Sequence, residues 1–138
     1  MRTAFISALA LATISGTALA GDAAEKAKVH FAAIAAADMA KITADYSDNA
    51  VLQWVGGPLD GVYTGSPAIK DVWTKFTSAQ GSLDVDVKDV REAFNPKGAT
   101  VTADVVFKGK GPIPLRYVLV YRDGKLANEV WQINPPKN

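Results

Sequence analysis

Residues 113–133 read IPLRYVLVYRDGKLANEVWQI. Ile113, Leu115, Tyr117, Leu119 and Tyr121 fall on every second position, between Arg116, Val118, Val120 and Arg122. Successive side chains of an extended chain point to opposite faces, so this spacing predicts a strand with one apolar face. Asp123-Gly124 is a turn pair of the kind that joins two antiparallel strands, and Leu126 to Ile133 is the returning strand. The same period runs through Leu83, Val85 and Val87, alternating with Asp84, Asp86 and Lys88, and again through Val101, Ala103, Val105 and Phe107. Asn95-Pro96-Lys97-Gly98 and Lys108-Gly109-Lys110-Gly111 supply hairpin loops. The second half of the chain thus predicts four consecutive antiparallel strands.

Upstream of Gly81 the period changes. Ile69, Val72, Trp73 and Phe76 stand at i, i+3, i+4 and i+7, the spacing of one helix face. Ser66 is the expected N-cap, Pro67 fits the first helical position, and Gly81 ends the helix. Residues 22–37 are rich in Ala, Glu and Lys, which favour helix, and Asp22 is a fitting cap. Ala27, Phe31, Ile34 and Asp38 share a stripe with His30 on its border. A second helix is expected from Asp38 to Tyr46, ended by the turn residues Ser47-Asp48-Asn49. Residues 50–55 read as a strand, Gly56-Gly57-Pro58 breaks it, and Val62-Tyr63-Thr64 returns. Helices first and sheet later is α+β, with the N-terminal helices packed on one face of a mostly antiparallel sheet.

The chain has 138 residues, 15 Lys+Arg, 14 Asp+Glu, one His and no Cys. Its balanced charge argues against a nucleic-acid partner. Without Cys there is no disulfide framework, thiol nucleophile or Cys-zinc site, and a single His excludes a His-rich metal site. No cofactor or metal is expected. Residues 1–20 read as a secretory signal peptide: Arg2, an apolar run from Ala4 to Ile14, then Ala18-Leu19-Ala20 as a small-x-small cleavage site. The run is shorter than the ~20 residues that span a bilayer. The expected mature chain is a single domain over residues 21–138, exported to a bacterial periplasm or the exterior, with no membrane segment after cleavage.

Four passages resemble the SnoaL-like branch of the nuclear transport factor 2-like superfamily. They are Ala37-Asp38-Met39 with Asp45-Tyr46-Ser47-Asp48-Asn49-Ala50-Val51-Leu52, then Gly61 to Ile69, then Val118 to Leu126, and last Glu129-Val130-Trp131-Gln132. Their order and spacing cover about residues 24–134. The resemblance implies a cone-shaped α+β barrel, a strongly curved sheet wrapped around the helices with a pocket at its open end. It also implies a position at His30 where steroid isomerases of this fold bind an oxyanion. Those isomerases would have a general-base Asp near Trp54 and a second buried acid near Tyr117. This chain has Gln53-Trp54 and Tyr117 there, so that proton-shuttling pair is absent.

Two residues are candidates for acid–base catalysis. His30 is the only imidazole, a group that titrates near neutrality and can donate to a developing oxyanion; its other reading is a half-buried helix histidine bonded to a neighbour. Glu129 shares strand parity with Trp131 and Ile133, which look inward, so it looks inward too. Some polyketide cyclases of the fold place an acid or base on this strand. Glu129 otherwise pairs with Arg91 or Arg116 to stabilise the sheet. Trp54, Tyr63, Trp73, Tyr117 and Trp131 are the candidate ligand-binding residues; Trp73 also reads as core packing, and the other four are expected to line one cavity with His30 and Glu129. The expected function is binding of a small apolar or amphipathic molecule, with acid–base catalysis of an isomerase, cyclase or hydrolase kind as one use of the pocket. The alternative is a non-catalytic dimerisation or docking domain. Val118 and Val120, apolar on the face opposite Leu119 and Tyr121, point to a homodimer through the outer sheet face.

Overall fold

The structure is a computed structural model that describes residues 21–134; the expected signal peptide and its cut after Ala20 lie outside the described residues. The Ala-rich segment forms helix α1 (Asp22–Ala35) and buries Ala27, Phe31 and Ile34, neighbours on one face by their three- and four-residue spacing. Asp22 is its first helical residue rather than its cap, and Gly21 precedes it at φ +93°. Helix α2 (Met39–Thr43) is shorter than expected, with the Asp38 side chain accepting from the Lys41 amide at 3.2 Å. Tyr46 belongs to the next element, strand β1 (Tyr46–Val55). It pairs in parallel with Leu126, whose amide donates to the Asp45 carbonyl at 2.7 Å. These long-range bonds override the turn preference of Ser47-Asp48-Asn49, and the register shifts between Tyr46 and Val51.

Strand β2 (Gly61–Thr64) follows the Gly56-Gly57 turn, where both glycines have positive φ. Helix α3 (Ser66–Gln80) buries Ile69, Val72, Trp73 and Phe76; its N-cap is Gly65 rather than Ser66, Pro67 lies in its first turn, and Gly81 ends it. Strands β3 (Asp84–Asn95), β4 (Gly98–Lys108), β5 (Pro112–Arg122) and β6 (Lys125–Ile133) then run antiparallel in succession. The sheet order is β2-β1-β6-β5-β4-β3, and β1 beside β6 is its parallel pair. The sheet is curved but not closed, so the expected barrel is an open cone with edges at β2 and β3.

Helix α1 lies against β3 and β4, α3 lies against β1 and β2, and α2 touches both of those helices. Burial alternates along β4 and β5 as the period-two pattern requires. In β3 the register shifts between Lys88 and Arg91, with Asp89 in a left-handed conformation at φ +53°. Such a bulge changes which parity faces inward. Val85 and Val87 are half-buried before it, Val90 and Glu92 after it. Asp84, Asp86, Lys88 and Asp89 are exposed, and Asp86 pairs with Lys108 across the β3–β4 ladder. Among the described residues no helix is long and apolar enough to cross a membrane.

Candidate functional site

Glu129 is 1% exposed, set in the middle of the sheet between Leu52 of β1 and Leu119 of β5. A carboxylate so placed needs donors, and three reach it. His30, 4% exposed on α1, brings Nε2 to 2.6 Å from Oε2. Tyr117 on β5 donates its hydroxyl to the same oxygen, and Tyr46 donates to Oε1. Behind Tyr46, the Trp73 indole N–H donates to the phenol oxygen at 2.8 Å. Burial, and then the Glu129 charge, push the Tyr46 and Tyr117 hydroxyls well above the usual phenol range. Both phenols therefore keep their protons and remain donors. With Oε2 accepting, the His30 proton belongs on Nε2. The alternative pairing of Glu129 with Arg91 or Arg116 does not form: Arg116 is exposed and bonds Asp104 at 3.0 Å, and Arg91 is exposed.

A cavity of about 520 Å³ opens elsewhere, between the turn at Pro58-Leu59, the end of α3, the start of β5 and the end of β6. Trp54, Leu59, Phe76, Ile113, Trp131 and Ile133 form its apolar wall, and its polar groups come from Lys75, Gln80 and Asn134. Trp131 is sandwiched between Trp54, with ring centroids 4.3 Å apart, and Phe107, 5.5 Å apart and nearly parallel. Phe76 and Trp73 meet it edge-on at 5.0 Å and 5.6 Å. Each such pair adds ~0.5–1.5 kcal/mol beyond the area it buries. The buried Trp131 indole N–H has no hydrogen-bond partner among the described residues.

His30 and Glu129 are thus brought together, as strand parity and helix register require, and Tyr117 joins them. Trp54 and Trp131 line the cavity. The six residues do not share one cavity, however: His30, Glu129 and Tyr117 are buried and absent from its wall. Trp73 is fully buried behind the wall, and Tyr63 braces the rim by donating to the Leu59 carbonyl at 2.6 Å. The physical reason is packing: Trp131 is on the cavity wall, and its ring meets Tyr117 edge-on at 5.9 Å, so the carboxylate and its donors belong to the core behind the aromatic layer. Sequence reasoning missed Tyr46, which it placed on a helix, although Tyr46 shares parity with Leu52 and Trp54. It also missed Leu59, Ile113 and Ile133 as cavity residues. Among the described residues no three His, Cys, Asp or Glu side chains converge in a way that could hold a metal.

The SnoaL-like domain family model matches residues 27–128. Similar solved structures include a nuclear transport factor 2-like protein from Pseudomonas putida KT2440, with a TM-score of 0.71 at 16% identity over 86% of this chain and 87% of that one. Another is a ketosteroid isomerase-like protein from Erwinia carotovora atroseptica SCRI1043, with a TM-score of 0.64 at 18% identity over 82% of this chain and 94% of that one. A de novo designed protein with a curved β-sheet reaches a TM-score of 0.68 at 17% identity over 86% of this chain and 89% of that one. At such identities the likeness is one of fold. No curated protein matches the chain. The family match covers most of the chain, and the open cone of six strands over three helices agrees with it: the chain belongs to the SnoaL-like domain family of the nuclear transport factor 2-like superfamily.

Proposed function

We propose that this domain binds a small apolar molecule in the cavity beside Trp54 and Trp131. The observation that supports this reading is the cavity itself: about 520 Å³, walled by aromatic and aliphatic side chains, with its polar groups few and peripheral. Sites of ~300–1,000 Å³ with that lining are the usual form of a small-molecule pocket. In this reading the His30–Glu129–Tyr46–Tyr117 cluster holds α1 to the sheet, because every donor in it is already directed at the carboxylate. Acid–base catalysis is a second reading, favoured by the 2.6 Å contact between His30 and Glu129. It requires a substrate to reach two side chains that are buried and off the cavity wall. Native mass spectrometry of protein purified from its own host tests for a retained ligand. Calorimetric titration with a neutral naphthalene derivative tests the site. Ile113→Arg, which puts a charge into the apolar wall, is expected to weaken binding by ~10-fold or more. Unchanged binding in that variant would sink the assignment of the cavity.

The same reading includes export after loss of residues 1–20 and a homodimer through the convex face, with Val118 and Val120 at its centre. Both valines are half-buried in the single chain. Light scattering at micromolar concentration is expected to give twice the monomer mass, and Val118→Lys to shift it to the monomer; a monomer mass for the unaltered protein rules the pairing out.

A further inference from the structure

Helix α1 is capped from a distance. Gly21 provides no side-chain cap. Instead Glu92, half-buried on β3, spans the gap: Oε2 accepts from the Gly21 nitrogen at 2.5 Å and Oε1 from the Ala24 amide at 3.1 Å. A carboxylate at a helix N-terminus satisfies orphan donors and complements the helix dipole. Two backbone features make the contact. The bulge at Asp89 gives Glu92 the parity that faces α1, and Gly21 takes φ +93°, which residues with a side chain rarely adopt.

The nitrogen that Glu92 holds is the one that the expected cleavage after Ala20 would set free. Hydrolysis of the Ala20–Gly21 bond adds hydroxyl to the Ala20 carbonyl carbon and hydrogen to the Gly21 nitrogen. Near neutral pH that amine takes up a proton, and the new Ala20 carboxyl loses one. A neutral amide donor becomes an ammonium group with three donors. Two effects then oppose each other. An ammonium at a helix N-terminus is disfavoured by the dipole, but a charge-assisted bond to a carboxylate is about twice as strong as a neutral one. The other charged groups of that turn are Asp22 and Glu25, both acidic; Glu25 is exposed and pairs with Lys28 at 3.2 Å, and the Lys26 ammonium bonds the Gly124 carbonyl.

We propose that Glu92 is the receptor for the processed amino terminus, so that removal of the leader converts a hydrogen bond into an ion pair that locks α1 to β3. Its trigger rests on the export reading above. The processed chain is then the more stable form, and the precursor is easier to keep unfolded for export. Without Glu92 the gain is lost, because the new ammonium no longer has the carboxylate that bridges it to β3 and the helix dipole opposes it.

The test compares thermal melting of the full-length precursor, made with export blocked, and the periplasmic product, each with Glu92 and as Glu92→Gln. The processed protein is expected to melt ~2–6 °C above its precursor, and the gap to vanish or reverse in E92Q. Equal melting of the two unaltered forms, or a gap that survives in E92Q, overturns the pairing. A second measurement does not depend on the variant's folding: selective acetylation of the Gly21 α-amine should return the processed protein to the precursor's melting temperature. An acetylated protein as stable as the processed one also overturns it. Recovery of Met1 as the terminus of host-derived protein overturns the export reading and the trigger with it; the pairing is then judged separately by cutting the same bond in vitro.

Discussion

Glu129→Ala is expected to destabilise the domain by ~3–5 kcal/mol, enough to unfold a protein whose total stability lies near the lower end of the ~5–15 kcal/mol range. The reason is the number of groups left behind rather than the number of contacts removed. One truncation takes the acceptor from the His30 Nε2–H and from the Tyr46 and Tyr117 O–H groups together, all of them buried. Each unsatisfied buried polar group costs ~1–3 kcal/mol. Glu129→Gln keeps the volume and one acceptor but turns an amide N–H toward existing donors, so it should fall between the two. Tyr46→Phe and Tyr117→Phe remove a donor from a carboxylate that retains the others, and each should cost ~1–2 kcal/mol. Urea denaturation followed by circular dichroism measures the series. If Glu129→Ala costs under ~1 kcal/mol, water or a rearranged side chain replaces the carboxylate, and the cluster is not what fixes α1 on the sheet.

At alkaline pH the fold is expected to lose stability steeply. Tyr46, Tyr117 and Tyr121 all have hydroxyls pushed above the ordinary phenol range, by burial first and then by the Glu129 charge. Below ~pH 10 both folded and unfolded chains keep these protons, and the contribution is constant. Above it the unfolded chain releases them while the folded chain does not, so folding must retain protons that the solution no longer favours. Each tyrosine then removes ~1.4 kcal/mol per pH unit, and the three together ~4 kcal/mol per unit until the chain unfolds. Tyrosinate absorbance and far-ultraviolet circular dichroism, recorded together from pH 9 upward, should show these three phenols ionising in one step with loss of helix. Full ionisation of all tyrosines near pH 10 with the helix signal intact would contradict the buried, donor role assigned to them.

The residues that the sequence places well are those whose surroundings are decided by one buried face. The alternation of Val101 to Phe107 and of Leu115 to Tyr121 survives in the sheet because a slip of one position would turn the whole apolar set to water. Parity also brings Glu129 inward, and helix register brings His30 to meet it. Tyr46 resists such reading because its place is decided by a parallel partner, Leu126, eighty residues later in the chain. Local turn chemistry at Ser47-Asp48-Asn49 contains no trace of that partner. Glu92 is hidden by the bulge at Asp89, which changes parity within a strand that looks regular. The cavity was illegible for a different reason. Which residues face the cavity and which lie in the core depends on how Trp131 settles between Trp54 and Phe107, a choice made by rings from three elements at once.

The tryptophan layer also has an optical consequence. The chain has three tryptophans, and all of them lie in it, with centroids 4.3 to 5.6 Å apart. Indoles so close share excitation, so the three behave as one chromophore, with an intense coupled band in the near-ultraviolet dichroism and a single emission. That emission watches only one end of the cone. A guest that enters beside Trp54 and Trp131 should register without any label. Fraying of the Gly21 end of α1, held by Glu92 on the far strand, should pass unseen by the indoles and appear only in amide-based signals. A melt followed by fluorescence and one followed by amide dichroism therefore interrogate different parts of this molecule, and a gap between them would locate the weaker one.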